Sequence, residues 1–105
     1  MRILLKIEIP TQKGNEVIKK GTLAQTMKSI LDEQKPESAY FATSGGNRAG
    51  YLVFDLKDAA DMPKIAEPWF LAFDAKIDAS PVMTPEDLGK AGPAIEQAVK
   101  KYGSM

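Results

Sequence analysis

Arg2-Ile3-Leu4-Leu5-Lys6-Ile7-Glu8-Ile9 is the stretch on which the reading of the fold turns. Ile3, Leu5, Ile7 and Ile9 fall on one side of a period-two pattern, and Arg2, Leu4, Lys6 and Glu8 fall on the other. This predicts a strand with one buried face and one mixed face, ended by Pro10. A basic residue ahead of apolar ones also hints at a secretory leader. Lys6 and Glu8 interrupt the run before an apolar segment of about 7–15 residues can build up, so the strand is expected instead. No stretch approaches the roughly 20 apolar residues of a membrane span.

Outward from this strand, Gly14 to about Gln34 reads as helix, with Leu23, Met27, Ile30 and Leu31 on an i, i+4, i+7, i+8 stripe. Gly21 weakens it, and the Thr22 and Gln25 pair has the spacing of a capping box, so a restart is expected at Thr22. Lys35-Pro36 stops it. Ala39-Tyr40-Phe41-Ala42 and Gly50-Tyr51-Leu52-Val53-Phe54 flank Ser44-Gly45-Gly46-Asn47-Arg48, which predicts a hairpin around a turn that needs positive φ. Asp58 caps a further helix through Met62, Ile65 and Ala66, which Pro68 is expected to break or kink. Ala75, Ile77 and Ala79 alternate with Lys76, Asp78 and Ser80 as a fourth strand. Thr84-Pro85-Glu86-Asp87 starts a helix, with an N-cap, Pro at the first position and two acids facing the dipole. Gly92-Pro93 divides it from a last amphipathic piece ending near Tyr102.

The order β-α-β-β-α-β-α predicts an α+β, ferredoxin-like domain with an extra C-terminal helix. The four-stranded antiparallel sheet would run 4-1-3-2, with its helices on one face. One domain is expected over residues 1–105, with a core over 1–82 and a helical extension over 83–105. The second sheet face would carry Leu4, Lys6, Glu8, Lys76 and Asp78. It would also carry either Tyr51, Val53 and Asp55 or Leu52, Phe54 and Leu56, and either Tyr40 and Ala42 or Ala39 and Phe41. A mixed face of this kind meets another layer or holds a ligand.

Composition narrows the chemistry. The 105 residues include 14 basic and 14 acidic side chains, no His and no Cys, with 44% hydrophobic residues. Without Cys there are no disulfides, thiolate nucleophiles or thiolate zinc sites. Without His there is no Ser-His-Asp catalysis, and most transition-metal sites are excluded. A net charge of zero gives no electrostatic case for nucleic acid or anionic membranes as partners. The expectation is a soluble, cytoplasmic domain without a cofactor.

Length, element order and these residues resemble the dimeric α/β-barrel superfamily, and Pro81-Val82-Met83-Thr84-Pro85-Glu86-Asp87-Leu88 resembles the C-terminal stretch of small bacterial proteins of that kind. The resemblance implies a homodimer in which two ferredoxin-like protomers pair their open sheet faces. It also implies cofactor-free isomerase or monooxygenase chemistry as one option. The His-dependent members, the YCII type and the haem-binding ones, are not matched, because this chain has no His.

Two groups of residues are candidates on these grounds. Lys6, Glu8, Lys76 and Asp78 would line a polar cleft or form a cross-strand salt-bridge ladder. Glu8 or Asp55 would be the general base, if desolvation raises a carboxylate pKa there. Tyr40, Tyr51, Trp69, Phe70 and Phe73 would wall an aromatic pocket, or Trp69 and Phe70 would simply fill the core. Ser44–Arg48 reads as a hairpin turn in preference to an anion cradle, and Thr11-Gln12-Lys13-Gly14 is a weak phosphate site at a helix start. Three functions stay open: a homodimer binding a small apolar or aromatic molecule, a cofactor-independent enzyme, and an assembly domain without a ligand.

Overall fold

The structure is a computed structural model that describes all 105 residues. It is α+β. Strand β1 (Arg2–Ile9) leads to helices α1 (Thr11–Lys19) and α2 (Leu23–Gln34), and then to the hairpin β2 (Ser38–Ser44) and β3 (Asn47–Asp55). A 3₁₀ turn (Ala59–Asp61) precedes α3 (Met62–Phe73), which is followed by β4 (Lys76–Pro81), α4 (Pro85–Lys90) and α5 (Gly92–Tyr102). The sheet is antiparallel in the order β2-β3-β1-β4. No helix is long and apolar enough to cross a membrane.

Central β1 alternates as its sequence requires. Ile3, Leu5, Ile7 and Ile9 are buried beneath the helices, and their neighbours are half-buried on the opposite face. Burying each such side chain contributes about 1.5–3 kcal/mol, so this one strand anchors much of the core. The register settles the two open alternatives. Lys6 stands opposite Tyr51 and Leu4 opposite Val53, while Tyr40 stands opposite Tyr51. Residues directly opposite share a face, so Tyr51, Val53, Asp55, Tyr40 and Ala42 lie on the open face. Leu52, Phe54 and Phe41 lie on the helix side.

Three local expectations are corrected. Helix α1 begins at Thr11, immediately after Pro10, and not at Gly14. The helical stretch does restart at Thr22, with Gly21 at φ 73°, but no capping box forms there. The Thr22 hydroxyl donates back to the Val17 carbonyl instead.

Pro68 does not break its helix, and α3 runs through it to Phe73. A proline removes the N–H that would bond the carbonyl four residues earlier, here Lys64. Gln34, at the end of α2, takes over that role. Its Nε2 donates to the Lys64 carbonyl at 3.2 Å and to the Ile65 carbonyl at 3.1 Å. Its Oε1 accepts from Trp69 Nε1 at 3.2 Å. One amide thus satisfies both the carbonyl orphaned by Pro68 and the indole of the fully buried Trp69.

The start of α4 is as expected, and complete. Thr84 and Asp87 form a reciprocal capping box with Pro85 at the first turn. The α4–α5 extension buries no residue of its own. The radius of gyration is 17.7 Å, against about 13 Å for a compact chain of this size. The long axis reaches 59 Å, and Ile95, Val99 and Tyr102 remain 53%, 61% and 58% exposed.

Candidate functional site

The structure separates the aromatic residues that the sequence grouped. Tyr40 and Tyr51 face each other on the open sheet face, with Tyr40 71% exposed. Trp69 and Phe73 lie under the opposite face, with ring centroids 5.8 Å apart. Phe70 points outward from α3 and is partly exposed. These five side chains therefore do not wall one pocket.

The four charged residues do come together. Lys6 is in register with Asp78, and Glu8 with Lys76. They surround a recess of about 80 Å³ on the open face. No ion pair forms among them within the chain; the ion pairs present lie elsewhere. Holding long exposed side chains in one geometry costs entropy that water-screened attraction barely offsets. The charges alternate in sign, so this face presents a compact quadrupole and not a closed ladder.

The two candidate bases sit far apart. Glu8 is near the hairpin end of β1, and Asp55 is opposite Arg2 at the other end. Six residues of strand separate them, or about 20 Å. Asp55 accepts a bond from the Met1 ammonium at 3.3 Å, and Lys57 lies 3.7 Å away. The ammonium bond first, and then the Lys57 charge, hold its carboxyl below the usual carboxylate range. That environment weakens a base. Arg2 is similarly committed, forming a two-bonded fork to Glu37 at 2.9 and 3.0 Å.

The best-formed cavity lies on the helix side of the sheet. It has a volume of about 250 Å³ and is lined by Ile7, Ile9, Leu23, Met27, Phe41 and Trp69, with Gly50 and Arg48. Each element supplies its share for a local reason. The hairpin register puts Phe41 directly across from Gly50. A Cβ on Gly50 would come within 3.0 Å of the Phe41 ring, so glycine lets the ring lie close over the strand. The α2 stripe supplies Leu23 and Met27. Trp69 is held in place from behind by Gln34.

Two motifs that are distant in sequence meet at its rim. The hairpin residue Asn47 accepts bonds at Oδ1 from the Thr11 backbone N–H at 3.2 Å and from the Thr11 hydroxyl at 2.7 Å. The start of α1 is thereby occupied by a protein acceptor. Next to it, the Arg48 guanidinium crosses α1 at Gly14. A Cβ on Gly14 would collide with Nη1 and lie 3.4 Å from Cζ. Arg48 Nη2 donates to Asn15 Oδ1 at 3.0 Å. Glycine inside a helix costs about 1 kcal/mol relative to alanine, and here that position admits the guanidinium.

Residues 1–96 match the family described as Domain of unknown function (DUF3303). The chain belongs to this family. No curated protein matches it. The DUF3303 match spans the whole sheet, its helices and the first turns of α5, and so includes both the cavity and the charged recess. No function is established for the family.

Among the cavity residues, the sequence points to Trp69 as a wall and to Arg48 within the turn, and nothing local in it joins the two. Ile7, Ile9, Leu23 and Met27 looked like ordinary core. Phe41 fits either sheet face by sequence alone. The one available signal was Gly14, a glycine in an otherwise helical run.

Proposed function

We propose that the protein is a binding module that holds a small apolar molecule in the cavity between its sheet and helices, and that it works as a homodimer of ferredoxin-like protomers. The observation that carries the binding role is the cavity itself. It is concave and almost wholly apolar, with an indole on one side, a phenyl ring on another and a single charged group at the rim. Pockets with a largely apolar lining and few polar groups are the usual sites for small ligands.

Pairing is supported by what the protomer leaves uncovered. Helix α5 presents Ile95, Val99 and Tyr102 at i, i+4, i+7 spacing to solvent, which is the stripe of a helix that packs on something. The open sheet face offers Leu4, Tyr51 and Val53 among alternating charges. A second copy brought against that face would meet the Lys6, Glu8, Lys76 and Asp78 quadrupole with its own and exchange opposite charges across the axis.

Two measurements test this reading. Size-exclusion chromatography with light scattering at micromolar concentration should give twice the mass of 11.4 kDa, and a monomer would remove the pairing. Replacing Ile95 and Val99 with Glu should release monomers that remain folded, because neither side chain is buried in its own protomer. Binding is tested by titrating small aromatics and lactones while following thermal stability and the fluorescence of Trp69, the single tryptophan. A ligand at 100 times its Kd adds about 2.7 kcal/mol. A panel that shifts neither signal would remove the binding role.

A further inference from the structure

The chain has two arginines, Arg2 and Arg48. Arg2 is neutralised by Glu37 through two bonds. Arg48 takes part in none of the ion pairs. Its one protein bond goes to a neutral amide oxygen, that of Asn15. A guanidinium carries five N–H donors in a planar fork, so most of them remain free.

The position of this cation is specified by the fold. Gly14 clears the space for it, Asn15 orients it, and Asn47 on the same hairpin ties the strand to α1. Arg48 lines the cavity together with Ile9, Leu23, Met27 and Phe41, and its guanidinium sits at the exposed edge, where it bonds Asn15. An oriented, unneutralised guanidinium at the mouth of an apolar cavity matches a ligand with two parts, an apolar body and an anionic head.

We propose that the ligand is a small carboxylate, with a single ring or a short branched alkyl group in the cavity and its carboxylate on the Arg48 fork. This names the ligand class for the binding role above and rests on it. The size follows from the volume of about 250 Å³, below the roughly 300 Å³ at which pockets begin to take drug-sized molecules. The head follows from geometry, because a planar fork and a planar carboxylate pair through two parallel bonds. The Asn15 amide oxygen holds the far side of the guanidinium and adds no competing charge.

The test uses matched pairs of probes that differ only in the head: benzoate against benzamide, and 4-methylpentanoate against its amide. Each is titrated into the full chain while Trp69 fluorescence is followed, with inorganic phosphate as a separate arm. The acids should bind about tenfold or more tightly than their amides, the ratio expected for a charge-assisted pair. Arg48→Met should reduce the acids to the level of the amides, with a retained cooperative thermal transition showing that the variant is folded. Gly14→Ala keeps the positive charge but pushes the guanidinium aside, and it should weaken the acids alone. Equal binding of acid and amide, or an unchanged ratio in Arg48→Met, overturns the carboxylate while the apolar cavity stands. Tighter binding of phosphate than of either acid overturns the apolar body. If no probe binds up to millimolar concentration, the binding role and this inference fail together.

Discussion

Replacing Gln34 with Leu keeps the side-chain volume and removes three hydrogen bonds at once. The consequences differ in size. The Trp69 indole N–H is fully buried and bonds only Gln34 Oε1. An unsatisfied buried donor costs about 1–3 kcal/mol. The Lys64 carbonyl has already lost its helical partner to Pro68, but it lies on an exposed turn where water can replace the amide. Added methyl contacts from Leu return a fraction of the loss. The net expectation is a destabilisation of about 2 kcal/mol, most of it from the indole. With a urea m-value of roughly 2 kcal/mol per molar for a chain of this length, the unfolding midpoint should fall by about 1 M. The decisive measurement is the same substitution in a Trp69→Phe background. Phenylalanine has no N–H to strand, so Gln34→Leu should then cost about 1.5 kcal/mol less, and that difference is the coupling energy of the pair. Equal costs in both backgrounds would refute the assignment of Gln34 as the partner of the indole.

Two other predictions address single residues. Asp55→Asn tests the pair with the Met1 ammonium. The folded pKa of Asp55 is lowered, so its contribution is present above the ordinary carboxylate value of about 3.9 and is lost as pH falls through the lower folded value. The gap in unfolding midpoint between wild type and variant should hold steady from neutral pH to about 5, close below about 4, and shrink in high salt because the pair is exposed; a gap that widens in acid contradicts the pairing. Lys35 ends α2 at φ 48°, a conformation that carries a Cβ penalty, so Lys35→Gly should raise denaturant stability by about 0.5–1 kcal/mol after glycine's own entropy cost. A loss of stability there would show that the Lys35 side chain contributes more than its backbone strain removes.

Much of the fold was legible because its signals are local. The alternation of Ile3, Leu5, Ile7 and Ile9, the Gly-Gly-Asn turn and the Thr84-Pro85 cap each act over a few residues, and each gave the element it announced. Pro68 misled for the complementary reason. Its local effect, the loss of a donor to Lys64, is real, but its remedy sits on another helix 34 positions earlier in the chain. The Thr22 and Gln25 spacing failed because the Thr22 hydroxyl found a nearer acceptor in Val17.

The site was less legible than the fold. The charged residues of β1 and β4 could be brought together from strand pairing alone. The cavity could not, because it depends on how α2 and α3 lean on one face of the sheet. The same Leu23 and Met27 would be plain core if α2 lay closer.

By itself, then, the sequence determined the alternation of strands and helices, the buried face of β1, and the absence of thiol and imidazole chemistry. These follow from side-chain period and from residue inventory. Only the tertiary structure decided that Tyr40 and Tyr51 lie across the sheet from Trp69, that Gln34 completes a helix interrupted by Pro68, and that Gly14 makes room for Arg48. Each of these joins residues far apart in the chain, and no local pattern encodes the distance between them.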